Sequence, residues 1–209
     1  MLTANKLPQA IVGKIEELCQ PYIQMRGGLD GCFAQPLYRG MKIIDGQSIH
    51  NSHDYREPQS MPIVLHHRID QWFHDTHGHC FRSVNAVFCT GSLEQAQAFN
   101  PAHAIFPIGE FKFAWSPSIA DLTKYVNAEL NALIDTPDDG FWKRLLGYSD
   151  PKTLTKDEQT LRVKALAMCG DLLKDFERDN TFKTDQLLGG IESNKEVMLI
   201  CWQYFAFLI

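Results

Sequence analysis

Two periods organise the apolar positions of this chain. From Pro8 to Met25, residues Ile11, Ile15, Leu18 and Tyr22 fall on one helical face, and Gly27-Gly28 ends the helix. A second helix is predicted from about Ile63 to His74, with Ile63, Trp72 and Phe73 among its apolar positions. Ile119, Leu122, Val126, Leu130 and Leu133 keep helical spacing. Thr155-Lys156-Asp157-Glu158 has the form of a capping box and opens a helix through Leu161, Leu166, Leu172, Leu173 and Phe176, ending near Asp179-Asn180. Elsewhere the apolar residues run together or alternate, as strands do. Such stretches are Gln35–Met41, Ser83–Thr90 and His103–Trp115, the last broken at Pro107-Ile108-Gly109. Gly91-Ser92 turns the second of these into a short helix from Leu93 to Phe99. Residues 45–61 form a polar loop, and 135–154 are loop-rich, with Phe141, Trp142, Leu145 and Leu146 needing a place to pack. No internal repeat is present. The pattern predicts an α+β domain.

The C-terminal stretch stands out. Residues 192–209 pass from a charged, solvated segment directly into an apolar, aromatic one, and read as one buried terminal strand after Gly189-Gly190. Alternation along such a strand places Glu192, Asn194 and Glu196 on one face. Two carboxylates and an amide at the mouth of a buried strand imply a cationic partner, or one that becomes cationic.

Composition narrows the classes. At 209 residues, 44% hydrophobic and 22% charged, the chain reads as one soluble domain over 1–209. A net charge of -5 argues against nucleic acid as the default partner. The longest apolar run, from Val197, is broken by Gln203 and is too short to span a bilayer, so no membrane partner is expected. Six cysteines without a Cys-x-x-Cys pair suggest buried free thiols in a reducing cytoplasm, and the N-terminus lacks the apolar core of a secretion signal.

Three polar features sit at strand ends: Tyr38-Arg39-Gly40, Phe88-Cys89-Thr90-Gly91-Ser92 and Asn194-Lys195-Glu196-Val197-Met198. Each has a plain structural explanation. Arg39 could pair with an acid, Thr90 and Ser92 could cap the helix at 93–99, and Glu196 could be a solvated strand-end acid. Their order and strand settings give another. In these patches the chain resembles the ADP-ribosyltransferase superfamily, in its arginine–serine–glutamate branch, and is similar to the bacteriophage enzymes that modify host proteins. Arg39 matches the first-strand arginine. Thr90-Gly91-Ser92 resembles the Ser-Thr-Ser motif, with Ala96 and Phe99 following at the spacing of phage members. Asn194-Lys195-Glu196 resembles the Glu-x-Glu or Gln-x-Glu strand. The likeness spans three short patches, and 119–180 is read as a helical insertion.

The resemblance implies two small, roughly perpendicular β-sheets with a cleft between them and flanking helices. It implies a glycosyltransferase of the mono-ADP-ribosyl class that uses NAD as substrate to modify a macromolecule, expected to be a protein, in the cytoplasm (the host's, for a phage-encoded chain). Arg39, Gly40, Thr90 and Ser92 would hold NAD. Glu196 would stabilise the oxocarbenium ion formed as nicotinamide leaves, ordered by the hydroxyl of Thr90 or Ser92. Asn194 and Glu192 would lie on the acceptor side, and Leu187–Ile191 would be the loop that meets the target. Gly91 stands where threonine is usual, which removes one polar contact. Asn194 stands where an acid is usual, and an amide there suits acceptors other than arginine. A rival expectation is a catalytically weakened module of the same fold that inhibits a host or defence protein by surface contact.

Seven of the eight histidines lie between His50 and His79. His74, His77, His79 and Cys80 would be the best zinc quartet, but the spacing matches no familiar zinc motif, so no metal is assigned. These histidines read as solvated loop and helix-end residues, with His66-His67-Arg68 as a small basic patch.

Overall fold

A computed structural model describes residues 6–42, 48–58, 60–134, 141–147 and 153–209. Its fold is α+β. Seven strands form an antiparallel sheet in the order β2-β7-β4-β1-β3-β6-β5. They are β1 (Leu37–Gly40), β2 (Ile49–Asn51), β3 (Ala86–Thr90), β4 (Ala102–Ile108), β5 (Lys112–Trp115), β6 (Glu196–Ile200) and β7 (Gln203–Leu208). The helices are α1 (Gln9–Leu18), α2 (Gln20–Met25), α3 (Leu29–Ala34), α4 (Ile63–His77), α5 (Leu93–Gln97), α6 (Leu122–Asn131), α7 (Phe141–Leu145), α8 (Lys156–Arg178) and α9 (Leu187–Glu192).

The pairing is uneven. β1 pairs with β4 along its whole length, and β3 does the same with β6. β1 and β3 meet only at Tyr38 and Thr90. Beyond that pair Arg39 and Gly40 have no ladder partner on β3. The chain passes between the two strand groups four times, the last where β6 gives way to β7 through Cys201-Trp202.

Two buried clusters hold the sheet. Val87, Cys89, Val197 and Leu199 join Ile15, Tyr22 and Phe33 of the N-terminal helices. On the alternate positions, Met198, with Phe88 and Ile200 packed against it, joins Leu65 and Phe73 of α4, Leu122 and Val126 of α6, and Ala165 and Cys169 of α8. The helical region after residue 119 therefore shares a core with α4 and the sheet. Trp142 and Leu145, which the sequence left without a place, are buried in that cluster. The predicted capping box at Thr155 and Glu158 is present on both sides.

Several expectations need correction. The first helix is two, α1 and α2, broken at Cys19 with Pro21 in the first turn of the second. Proline has no backbone N–H to continue the helical ladder. The polar loop after 45 holds edge strand β2, three residues long, while 43–47 and 59 lie outside the described residues. The single strand expected over 192–209 is a helix end, a turn and two strands. Glu192 closes α9, and Asn194 takes a left-handed φ of 57°, which asparagine tolerates better than most residues. Ser193 fixes the turn by donating to the Gly190 carbonyl (2.7 Å) and accepting from the Lys195 N–H (3.3 Å). Glu192, Asn194 and Glu196 therefore do not share a strand face. Leu187–Ile191, expected as a loop, is helical.

Candidate active site

Thr90 and Glu196 end β3 and begin β6, and they are direct cross-strand partners. Tyr38 of β1 is Thr90's partner on its other side, so the three residues form a row across three strands. Thr90 is buried. Its Oγ1 accepts the Ser92 N–H (3.1 Å) and lies 3.1 Å from both Gln95 Oε1 and the Asn194 carbonyl, one hydroxyl proton for two acceptors. Ser92 caps α5 by accepting the Gln95 N–H at 3.2 Å. Asn194 enters the site through its backbone, and its side chain is exposed.

Glu196 is held from several directions. Its Oε2 accepts the Leu122 N–H at 3.0 Å, at the start of α6, where the helix dipole favours negative charge. Arg82 Nη1 lies 3.7 Å from the same oxygen, and the Glu196 side chain is 17% exposed. Burial raises the carboxyl above its ordinary range, opposed by Arg82, the Leu122 N–H and Arg56. Arg82 is itself buried and anchored. Its Nη2 donates to Thr123 Oγ1 at 2.7 Å, and its backbone N–H donates to Asp70 Oδ1 at 2.9 Å. Asp70 also accepts the Ser83 hydroxyl.

The guanidinium next to Glu196 thus belongs to Arg82, with Arg56 close enough for its charge to be felt. Arg39 leaves β1 where β1 and β3 part. Its guanidinium lies 5.9 Å from the centroid of the Tyr204 ring, and its charge is felt at Cys89, Cys201, Tyr204 and Arg56. Sequence reasoning missed Arg56 and Arg82. Both guanidinium carbons sit over the ring of Phe88, at 4.2 and 4.9 Å from its centroid. The one available signal was an arginine just ahead of a predicted strand, which is common.

Glycine geometry explains two further positions. A Cβ on Gly91 would lie 1.8 Å from the Ile191 carbonyl oxygen. Glycine is required here because α9 packs directly on the turn. A Cβ on Gly40 would lie 2.1 Å from the Ala96 carbonyl oxygen, so Gly40 serves close packing of β1 on α5. Glu192, at the end of α9, is exposed.

The histidine-rich segment does not assemble a metal site: among the described residues no group of three or more His, Cys, Asp or Glu is placed to hold an ion. The predicted basic patch dissolves as well. His66 is buried with neither ring nitrogen hydrogen-bonded, and burial, reinforced by the charge of Arg82, lowers its pKa to about 4. Arg68 donates to the Leu166 carbonyl at 3.1 Å. Cys19, Cys32, Cys89, Cys169 and Cys201 are buried free thiols, and Cys80 is half-buried. No helix among the described residues is long and apolar enough to cross a membrane. An open cleft of about 500 Å³, lined by Asn51–Asp54, Trp202 and Gln203, lies at the far end of β6 from Glu196. At ~3.3 Å per residue that is roughly 20 Å away, so it is not the Glu196 site.

Searches against protein-family profiles, curated proteins and solved structures find no match to the chain.

Proposed function

We propose that the protein is an NAD-dependent mono-ADP-ribosyltransferase acting on a macromolecular target, a protein, in the cytoplasm of a cell (a bacterial host, if the chain is phage-encoded). The observation that carries this reading is the direct pairing of Thr90 with Glu196 at two strand ends. They stand beside the point where one residue pair joins the β2-β7-β4-β1 strands to the β3-β6-β5 strands. That single link supports two small sheets with a cleft between them.

Cleavage of the nicotinamide–ribose bond builds positive charge on the sugar. A fixed carboxylate beside it stabilises the transition state more than the ground state. Glu196 would supply that charge and accept a hydrogen bond from a ribose hydroxyl. The Leu122 N–H and Arg82 keep its carboxylate in one orientation, and the Thr90 hydroxyl ties the turn before Glu196 to β3. A single preorganised group of this kind contributes about 3–4 kcal/mol, or roughly 10²–10³-fold in rate. Water would replace the acceptor in a slow hydrolysis of NAD.

One observation favours a second reading, a weakened module that acts by surface contact. Glu196 is already engaged by the Leu122 N–H and Arg82, and Gly91 removes a polar group from the motif. Incubating the protein with labelled NAD and bacterial lysate separates the two. Label transferred to protein by the wild type and lost with Glu196→Gln supports the enzyme. Tight capture of a lysate protein, indifferent to NAD and to Glu196→Gln, with no label transfer, supports the module.

A further inference from the structure

Trp202 stands in the short connection between β6 and β7 with 70% of its surface exposed, more than any other large apolar residue among those described. The other tryptophans are buried or half-buried. An indole left in water at a tight turn forfeits the burial that makes the residue useful in a core. It lines the open cleft with Asn51, Ser52, His53, Asp54 and Gln203. The cleft holds about 500 Å³, within the range of about 300–1,000 Å³ usual for small-molecule sites.

The walls of the cleft are tied together. The Trp202 carbonyl accepts the Ser52 N–H at 2.9 Å, and the Ser52 hydroxyl lies 3.1 Å from both that carbonyl and Asn85 Oδ1. Asn85 is buried and joins both sides through its backbone. Its N–H donates to the His53 carbonyl at 3.0 Å, and its carbonyl accepts the Cys201 N–H at 3.3 Å. Asn51 and Gln203 are cross-strand partners on β2 and β7, and Gln203 Nε2 donates to Asn51 Oδ1 at 2.9 Å. That bond uses one end of each amide. It leaves the Gln203 carbonyl oxygen as an acceptor and the Asn51 NH₂ as a donor. Among the described residues nothing hydrogen-bonds the His53 ring or the Asp54 carboxyl.

This lining selects its ligand. It contains a carboxyl and neither lysine nor arginine, which disfavours a phosphate or a nucleic-acid backbone. It sets planar amides, a carboxyl and an imidazole beside a bare aromatic face. The face of an indole is the negative side of its quadrupole and attracts the weakly positive C–H groups of a sugar ring. Neighbouring sugar hydroxyls, each both donor and acceptor, match an amide NH₂ and an amide oxygen side by side. We propose that this cleft binds a neutral saccharide, with one pyranose ring on Trp202 and its hydroxyls on Asn51, Gln203 and Asp54. The site is separate from Glu196 and requires neither NAD nor sugar transfer.

Nuclear magnetic resonance of the full, nitrogen-labelled chain tests it, with maltose, lactose and N,N′-diacetylchitobiose as probes and inorganic phosphate and oligothymidylate as comparators. At least one of the sugars is expected to shift the Trp202 indole N–H signal, which is assigned by its loss in Trp202→Phe. The dissociation constant should be about 1–10 mM and indifferent to salt, unlike that of a bound anion. Saturation transfer from protein to sugar needs no indole reporter and compares the variants. Binding should be lost in Trp202→Ala, weaken about fivefold in Gln203→Ala, and match the wild type in Arg178→Gln, on the exposed end of α8. No shift with any of the sugars at about 20 mM, or binding that survives Trp202→Ala, overturns the site. So does a Trp202 signal moved by oligothymidylate or phosphate and by no sugar, which would assign the cleft to an anion.

Discussion

Replacing Gly91 by alanine gives a sharp test of how the turn between β3 and α5 is packed. The added Cβ would sit 1.8 Å from the Ile191 oxygen, 2.7 Å from its carbonyl carbon and 3.1 Å from its Cα. These are backbone atoms of α9, so no side chain can rotate away. Relief requires α9 to retreat by more than about 1 Å. The helix is pressed on another side, because a Cβ on Gly190 would already lie 2.8 Å from Trp115 Cγ. Trp115 is fixed in turn by its Nε1–H bond to the Asp185 carbonyl, 3.0 Å long. Overpacking in such a place costs typically 1–3 kcal/mol, and the rigid partners put this case near the upper end, about 3 kcal/mol. For a chain of this size that lowers the melting temperature by roughly 6–12 °C. Thermal unfolding followed by circular dichroism measures it. Gly91→Thr, with a larger side chain on the same Cβ, should fall at least as far. An alanine variant that melts within about 1 °C of the wild type would refute the packing of α9 on this turn.

Gly170, inside α8 with nothing within 4 Å of an added Cβ, should accept alanine with a gain of up to about 1 kcal/mol in a denaturant titration; a loss would contradict the open surroundings. His66 is neutral in the fold at pH values where the unfolded chain binds a proton, so its contribution is intact above about pH 6.5 and declines as pH falls toward about 4, by about 3 kcal/mol in all. His66→Leu should flatten that part of the stability–pH curve, and an unchanged slope would sink the assignment. Glu196 titrates above the ordinary carboxylate range, so its charge weakens the fold as pH rises through its folded pKa. Glu196→Gln should therefore melt above the wild type at neutral pH and lose that advantage in acid, where both side chains are neutral; a lower melt at neutral pH would reverse the argument.

The sequence carried the periodic parts of this fold well. Regular apolar spacing marked α4, α6 and α8, and the alternating cores of β3 and β4 were visible because their neighbours face two clusters. The capping box at Thr155 was legible because cap chemistry is local. What escaped depended on contacts made across the fold. α9 contains Gly189-Gly190, poor helix formers, and is helical because those glycines let it lie against Trp115. β2 is short and acquires its conformation from pairing with β7. The split of the last strand turns on the left-handed Asn194 and the crossover at Cys201-Trp202. In the candidate site, the strand-end positions of Thr90 and Glu196 could be read in advance because both lie at changes of pattern. Arg56 and Arg82 could not, since what selects them is the face of Phe88 and, for Arg82, the carboxylate of Glu196.

The proposed function stands on Glu196, the cross-strand partner of Thr90, facing the sugar that becomes cationic. A crystal structure with a non-hydrolysable NAD analogue tests it most directly. The account predicts the nicotinamide ribose against Glu196, a carboxylate oxygen within hydrogen-bond distance of a ribose hydroxyl. An analogue bound with its nicotinamide ribose away from Glu196 would contradict it.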